Sequence, residues 1–155
     1  MSFELRRDDG VTLSDDAARL DVDRIAGWLA ESYWASDRDR ATIERSLAGS
    51  LPYGVYAPDG GQIALTRATT DLTTFCWLGD VVVDQAWRGR GIGTWMIRGV
   101  VSQLRSRGVP RFVLATRDAH GVYERVGFEP LRVPSRWMEI DERTLRPNPG
   151  ELGAE

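Results

Sequence analysis

The sequence predicts an α+β fold, in which a mixed and mostly antiparallel sheet carries helices on both faces. Strand-like runs separated by turn signals fill the middle of the chain, and amphipathic helical patterns flank them. Between residues 80 and 104, three consecutive valines lead through a glycine-rich turn into a long helical pattern. Because there is no repeat and no linker, we expect one domain over residues 1–143. Residues 144–155, with two prolines and two glycines, are expected to form a frayed tail.

Composition limits the class of protein. At 155 residues, 42% hydrophobic and 28% charged, the chain fits one globular domain that buries about 70% of its unfolded surface. A net charge of -3 without any block of like charge argues against nucleic acid as the partner. The first residues lack an apolar signal core, and no apolar run approaches the ~20 residues of a membrane span. We therefore expect a cytoplasmic protein with no membrane or nucleic-acid partner.

The chain contains no lysine, because all 20 of its basic residues are arginines. Schiff-base chemistry, pyridoxal phosphate attachment and biotin carriage each need the lysine amine and are excluded. A single cysteine, Cys76, allows no internal disulfide, and a single histidine, His120, leaves no zinc site of the usual kind. No metal is expected, and the apolar surroundings of Cys76 predict a buried, inert thiol.

The individual elements follow from local patterns. A strand over residues 3–14 is interrupted by the turn Asp8-Asp9-Gly10. A first helix starts at Val22 with Asp21 as its cap, and a second covers about residues 39–47 and ends at Gly49. The later elements are three antiparallel strands at 53–57, 62–69 and 75–84, the long helix, a strand at 111–116, a short helix near 119–126, and two last strands near 128–133 and 136–140.

The turn Arg88-Gly89-Arg90-Gly91-Ile92-Gly93 is the candidate binding site. A glycine turn that opens a helix leaves the first N–H groups of that helix unpaired at the positive end of its dipole, where a phosphate binds. The alternative is a turn that only redirects the chain, but two arginines favour an anion. The spacing is not the Gly-x-Gly-x-x-Gly of dinucleotide-binding folds, and a Walker loop needs a lysine.

Two motifs in this chain resemble those of the GNAT superfamily of N-acetyltransferases. Arg88-x-x-Gly91-x-Gly93, between a hydrophobic strand and an amphipathic helix, is similar to the family's loop for the pyrophosphate of acyl-coenzyme A. Tyr123-Glu124-Arg125-Val126-Gly127-Phe128, which begins 35 positions after Arg88, is similar to the Tyr-x-x-x-Gly-Phe that closes the coenzyme site. The resemblance is closest to a bacterial subgroup with a Thr-Arg-Asp-Ala-His-Gly stretch, here residues 116–121.

This resemblance implies a three-layer fold in which the valine strand and the later parallel strand splay apart. It also implies acetyl-CoA as co-substrate, with its pantetheine arm along the valine strand, its pyrophosphate over the turn and its thioester in the gap. Asp118 takes the place of an asparagine that is commoner in the family, at a shortened spacing. The implied coenzyme-binding residues are Val81, Val82, Val83, Arg88, Gly89, Arg90, Gly91, Ile92, Gly93, Thr94 and Asp118.

The implied reaction is direct transfer of the acetyl group to a primary amine. An amine of pKa near 10 is protonated at neutral pH, so a base must remove a proton, and an amide near Val82 would stabilise the oxyanion. The resemblance makes Tyr123 the acid that protonates the leaving thiolate. Asp80 and His120 are the candidates for the base. Alternatively, Asp80 caps a turn or pairs with an arginine, and His120 fixes a turn.

The acceptor is not defined by any motif, although a small-molecule amine is the expectation. In the family the two first helices form the wall of the acceptor pocket, so Tyr33 and Trp34, which connect them, are candidates for acceptor binding. They could equally pack between the helices. Two other classes stay open: a non-catalytic acyl-CoA sensor, and a nucleic-acid or protein-binding module that uses the arginines. Dimers are the commonest assembly of single-domain enzymes, so a homodimer could form.

Overall fold

The computed structural model describes residues 1–144, and residues 145–155, most of the expected tail, lie outside the described part. No helix in the described part is long and apolar enough to cross a membrane. The strands are β1 (Glu4–Arg6), β2 (Thr12–Ser14), β3 (Leu51–Tyr56), β4 (Gln62–Thr70), β5 (Cys76–Val83) and β6 (Phe112–Val113). The helices are α1 (Val22–Ala30), α2 (Arg40–Ala48), α3 (Ile92–Ser106) and α4 (His120–Glu124), with three single turns of 3₁₀ helix at Ala17–Arg19, Gln85–Trp87 and Pro134–Arg136.

The six strands form one sheet in the order of the sequence, from β1 to β6. Neighbouring strands are antiparallel except for β5 and β6, which run parallel. Only two residue pairs join those two strands, Cys76 with Phe112 and Trp77 with Val113. Beyond Trp77, β5 continues to Val83 and pairs with no other strand of residues 1–144 on that side, so the two strands separate. The predicted mixed sheet with a splayed strand pair is therefore confirmed.

Helices cover both faces of the sheet, as predicted. Helices α3 and α4 pack on one face, where the buried residues Met96, Val100, Leu104 and Tyr123 join the main core. Helices α1 and α2 pack on the opposite face in a second cluster around Leu65. Apolar residues spaced three or four apart therefore drive each helix onto the sheet.

The predicted helix starts are confirmed by their caps. A side-chain oxygen of Asp21 accepts a hydrogen bond from Arg24 N (3.0 Å), and one of Asp39 accepts a bond from Thr42 N (2.7 Å). Each carboxylate satisfies an N–H group that has no partner inside its helix. Helix α3 differs, because its first position is preceded by Gly91 and no side chain caps it.

The predictions for the last third of the chain need correction. The strand predicted over 111–116 shortens to Phe112–Val113, and the helix predicted over 119–126 to His120–Glu124. The strands predicted near 128–133 and 136–140 are wrong: within residues 1–144, neither stretch pairs with any strand, and a 3₁₀ turn lies between them. Both stretches contain apolar residues, but a strand also needs backbone hydrogen bonds to a neighbouring strand, and within residues 1–144 neither stretch forms them.

Two helical glycines provide a test of this packing. A Cβ added at Gly99 of α3 would lie 2.7 Å from Cδ2 of the fully buried Leu13, whereas a Cβ at Gly27 of α1 meets no atom within 4 Å. Alanine favours a helix over glycine, so Gly27→Ala should be neutral or stabilising, while Gly99→Ala must shift the core. We expect the unfolding free energies of the two variants to differ by about 1–3 kcal/mol, measured in urea. Equal values would show that α3 does not pack closely against β2.

Candidate active site

A cleft opens where β5 and β6 separate. Its volume is about 1040 Å³, and its walls come from α1, the α1–α2 connection, the end of β5 with the following turn, and the loop before α4. Among the residues singled out from the sequence, those that line the cleft are Tyr33, Trp34, Val82, Arg88 and Asp118. The fold therefore brings together side chains that are up to 85 positions apart in the sequence, from Tyr33 to Asp118.

The cleft wall formed by β5 follows from a bulge in that strand. Val82 pairs with Leu65 of β4 and Gly79 pairs with Arg67, so two residues of β5 lie opposite Thr66 alone. One of the two, Asp80, has a φ of +50°, which is rare for a residue with a side chain. Val81, Val82 and Val83 follow the bulge, are half-buried and have no partner in β6. Their backbone can therefore pair with an extended ligand that contains amides.

The glycine turn, which carries unpaired N–H groups, directly follows Arg88, a residue that lines the cleft. Gly89 and Gly91 have φ values of +78° and +73°, and a Cβ added at either would extend into open space. In residues 1–144, no protein atom accepts a hydrogen bond from the N–H groups of residues 89–94, which lead into the first turn of α3. Together with the positive end of the dipole of this 15-residue helix, these groups fit an anion such as a diphosphate.

The arginines of the turn also hold it in place. Arg88 lines the cleft while its Nε donates to Val83 O (3.1 Å), which leaves its terminal nitrogens for an anion. The Arg90 guanidinium lies 4.5 Å from the centroid of the Trp87 ring, and Arg7 Nη1 donates to Arg90 O (3.0 Å). The turn is thus fixed from its outer side while its N–H groups stay free.

Tyr123 is the buried acid candidate of the site. Its side chain lies on the helix that follows the cleft loop, is 8% exposed, and packs edge-to-face on Phe128 with ring centroids 6.0 Å apart. Burial, assisted by the nearby Tyr33 and Asp118, raises the pKa of Tyr123 to about 12. The phenol therefore keeps its proton at neutral pH, and no hydrogen bond within residues 1–144 engages its hydroxyl.

Asp80 lies in a buried ion-pair network rather than at the surface of the cleft. Its carboxylate is 2% exposed and accepts hydrogen bonds from Arg67 Nε (2.6 Å), Arg38 Nη1 (2.9 Å) and Trp34 Nε1 (2.9 Å). Burial alone would raise the pKa of Asp80, but the charges and hydrogen bonds of the two arginines lower it. This geometry agrees with the arginine-pairing alternative and leaves no accessible lone pair, so Asp80 is not retained as a base.

The other polar candidates are exposed. His120 is the first residue of α4, is exposed to solvent and does not line the cleft. Asp118 does line the cleft, where Arg117 Nη2 lies 3.4 Å from one of its carboxylate oxygens. Of these two residues, only Asp118 is therefore placed to contact a molecule in the cleft.

The two aromatic candidates both line the cleft but have different partners. Trp34 is half-buried and donates to Asp80, whereas Tyr33 is 43% exposed. The Tyr33 hydroxyl accepts a hydrogen bond from Arg117 N (3.1 Å), and the Arg117 guanidinium lies 3.9 Å from the ring centroid. Tyr33 and Arg117 thus form a bridge between the α1–α2 connection and the loop before α4.

Some residues of the site were missed by the sequence reasoning. Arg38 and Arg67, the partners of Asp80, lie 42 and 13 positions from it, and no local pattern links them. Arg117 was seen only as part of a motif, although it forms the bridge to Tyr33. Asp84 accepts a hydrogen bond from Trp28 Nε1 (3.0 Å) across the cleft. That bond and the Ala86 N–H lower the pKa of Asp84.

A turn with unpaired amides next to the cleft, an open strand edge and a protonated tyrosine near the cleft residues Tyr33 and Asp118 fit an acylated coenzyme that contains a diphosphate. The family model described as the acetyltransferase (GNAT) family matches residues 12–128. The chain therefore belongs to the GNAT acetyltransferases, whose co-substrate is acetyl-CoA.

Individual relatives agree with this assignment. One relative is a protein from Xanthomonas campestris pv. campestris that is provisionally assigned to the acetyltransferases of this family. Its sequence is 39% identical to this chain. Its crystal structure matches with a TM-score of 0.79 and covers 84% of this chain and 92% of that one. A GNAT acetyltransferase from Elizabethkingia anophelis with acetyl-CoA bound is 17% identical and covers 79% of this chain and 78% of that one, with a TM-score of 0.62, so it supports the fold alone. A curated Gibberella zeae protein, provisionally named an acetyltransferase, is 29% identical over 56% of this chain but only 59% of its own length.

The Asp80 network predicts a pH-dependent stability. Because its pKa is lower in the folded chain, Asp80 adds stability that is complete above about pH 5 and lost as the pH falls toward the folded-state pKa. Asp80→Asn leaves two arginines without their buried partner and should lower the unfolding free energy by about 3 kcal/mol at pH 7 and by less at pH 3. Urea unfolding at both pH values measures this.

Glu44→Gln provides the control, because it removes an exposed ion pair with Arg40. We expect it to cost less than about 1 kcal/mol at either pH. A loss in Asp80→Asn that is the same at pH 7 and pH 3 would contradict the ion-pair interpretation.

Proposed function

We propose that this protein transfers the acetyl group of acetyl-CoA to a primary amine of a small molecule, by direct attack within a ternary complex. The observation that carries the proposal is the arrangement of the site. The unpaired amides of residues 89–94 follow directly on Arg88, which lines the cleft, and the open edge of β5 contributes Val82 to the cleft wall. Tyr123 lies near Tyr33 and Asp118, which also line the cleft. The family membership supports acetyl transfer, while the amine and its size are inferred from the cleft. A cytoplasmic location stays a prediction.

The coenzyme is assigned to the groups that fit its chemistry. The N–H groups of residues 89–94, with Arg88, would hold the pyrophosphate, and the backbone of Val81, Val82 and Val83 would pair with the amides of the pantetheine arm. This places the thioester in the gap between β5 and β6, where it supplies the acetyl group. An N–H group of β5 near Val82 is the donor that would stabilise negative charge on the acetyl oxygen.

We assign the amine acceptor to the wall of the cleft that is formed by α1 and the α1–α2 connection. Glu31 lines this wall and has no ion pair or hydrogen bond with its side chain within residues 1–144. Beside it lie the rings of Trp28 and Tyr33. A free carboxylate next to aromatic faces attracts an ammonium group. The amine must lose a proton before attack, and we assign that step to Glu31 or Asp118, through a water molecule.

Tyr123 is assigned the role of proton donor to the departing sulfur. Its high pKa keeps the phenol protonated, and it lies near Tyr33 and Asp118, which line the cleft. The phenol gives its proton to the departing thiolate, and the phenolate that remains regains a proton through solvent from the group that deprotonated the amine. The alternative function, a non-catalytic acyl-CoA sensor, would keep the turn but release no free thiol in a screen of amine acceptors.

Coenzyme binding at the turn can be tested with two glycines at opposite ends of α3. Gly91→Val places a side chain in the open space above the turn, so the affinity for coenzyme A should fall about ten-fold or more in calorimetry. Gly108, at the other end of the helix, also has a positive φ (+101°) and open space around it. Gly108→Val therefore carries similar backbone strain and should bind coenzyme A like the parent protein. Equal binding by both variants would refute the assignment of the turn.

The role of Tyr123 predicts a selective loss of turnover. With an acceptor found by the thiol-release screen, Tyr123→Phe should lower kcat about ten-fold or more and leave the affinity for coenzyme A nearly unchanged. Tyr56→Phe is the matched control, since the Tyr56 hydroxyl is buried and has no hydrogen-bond partner in the described part of the chain. If Tyr123→Phe turns over as fast as the control, Tyr123 is not the proton donor.

A further inference from the structure

The cleft carries charges of both signs in equal number. Its charged lining residues are three arginines and three acids, namely Arg24, Arg88, Arg117, Glu31, Asp84 and Asp118. A wall of one sign attracts a molecule of the opposite sign, whereas a mixed wall suits a molecule that itself carries both charges. Which of the six groups a ligand can contact depends on the partners that each group already has.

Three of the six groups have firm protein partners. Arg24 Nη1 donates to a backbone oxygen of β4 (2.7 Å). Arg88 Nε donates to the last backbone oxygen of β5 (3.1 Å), and the rest of its guanidinium is assigned to the diphosphate. The Asp84 carboxylate accepts hydrogen bonds from an indole N–H (3.0 Å) and a backbone N–H (2.9 Å). An acceptor therefore meets the other three groups.

Glu31 and Arg117 are the available charges of opposite sign. The Glu31 side chain has no ion pair or hydrogen bond within residues 1–144. The Arg117 guanidinium approaches one acid in that part of the chain, Asp118, with 3.4 Å between Nη2 and Oδ2. The two side chains are 47% and 65% exposed, so this pair contributes little and leaves the guanidinium for a ligand.

Tyr33 fixes the Arg117 guanidinium close to the wall that carries Glu31. The guanidinium lies 3.9 Å from the centroid of the Tyr33 ring, and the backbone N–H of Arg117 donates to the Tyr33 hydroxyl (3.1 Å). Tyr33 follows Glu31 by two positions and lines the same wall. Among residues 1–144, Glu31 and Arg117 form no ion pair with each other, so both charges stay available to one ligand.

We propose that the amine acceptor is an amino acid, that is, a small molecule with one primary amine and one carboxylate. Glu31 attracts the ammonium group, and the planar fork of the Arg117 guanidinium binds the carboxylate. One available guanidinium balances a single negative charge, which favours a carboxylate over a phosphate with nearly two. The proposal rests on the proposed transferase function and names its acceptor.

Acetylation changes the charge of such an acceptor. The amine nitrogen forms a bond to the acetyl carbon, and the carbon–sulfur bond of the thioester breaks. The ammonium group loses two protons in total, of which one ends on the coenzyme A thiol and the other passes to solvent. The product is a neutral amide with a carboxylate, so it loses its attraction to Glu31 and can leave the cleft.

The test compares matched acceptors by thiol release at saturating acetyl-CoA. The common amino acids and short ω-amino acids are each measured against their own carboxamides. The amide lacks the charge that Arg117 binds, but its amine is less basic, because no carboxylate stabilises the ammonium form. More of the amide is therefore ready to react at neutral pH. We still expect at least one amino acid to exceed its amide in kcat/KM by about ten-fold or more.

Arg117→Gln should remove this preference. The kcat/KM for the amino acid should fall about ten-fold, mainly through KM, while that for its amide stays nearly unchanged. An indirect effect through the neighbouring Asp118 would change both acceptors alike and leave their ratio intact. Arg105→Gln is the matched control, because it also removes one exposed arginine but lies outside the cleft, and it should keep the preference. Arg117→Glu should shift the preference toward a diamine.

Neutral amines, diamines and aminoalkyl phosphates complete the panel. If the parent protein acetylates any of these better than every amino acid, the inference is overturned and the transferase function stands. The same holds if Arg117→Gln lowers kcat/KM for the amino acid and its amide equally. An absence of thiol release with every amine, in a protein that binds coenzyme A in calorimetry, would overturn both the inference and the proposed function.

Discussion

The buried carboxylate of Asp80 is the point at which three parts of the molecule meet. It lies in the bulge of β5 and holds Arg67 of β4 together with Trp34 and Arg38 of the α1–α2 connection. Breaking such a pair leaves an uncompensated buried charge, which costs about 3–5 kcal/mol. The bulge, the wall of the cleft and the position of Tyr33 beside Trp34 therefore depend on one another.

The electrostatics of the cleft separate groups that stay charged from groups that stay neutral. Arginine partners keep Asp80 ionised, and hydrogen bonds from Trp28 and Ala86 do the same for Asp84, so these carboxylates serve to hold elements together. Burial does the opposite for Tyr123, which keeps its proton. What remains for chemistry is a small set: a protonated phenol, exposed carboxylates such as Glu31, and a turn of free N–H groups. This division fits the acetyl transfer to an amine that we propose.

The parts of the fold that the sequence predicted correctly are those decided by near neighbours in the chain. The helix starts near Asp21 and Asp39 depend on residues three positions away, and the glycine turn leads directly into α3. The strands predicted near 128–133 and 136–140 were wrong because pairing depends on a strand that is distant in the sequence, and within residues 1–144 neither stretch pairs with the edge strand β6. Asp80 was ambiguous for the same reason: its partners come from β4 and the α1–α2 connection. The roles of the individual site residues stay predictions, since they concern a bound molecule.

Amide hydrogen exchange with and without saturating coenzyme A measures the central claim directly, because the claim concerns backbone N–H groups. If the free amides of the turn grip the diphosphate and the β5 edge pairs with the pantetheine arm, exchange should slow at residues 89–94 and at Val81, Val82 and Val83. Helix α2, which does not line the cleft, should exchange as before. Protection confined to α2, or no protection at the turn and at β5, would contradict the assignment of the coenzyme to the cleft.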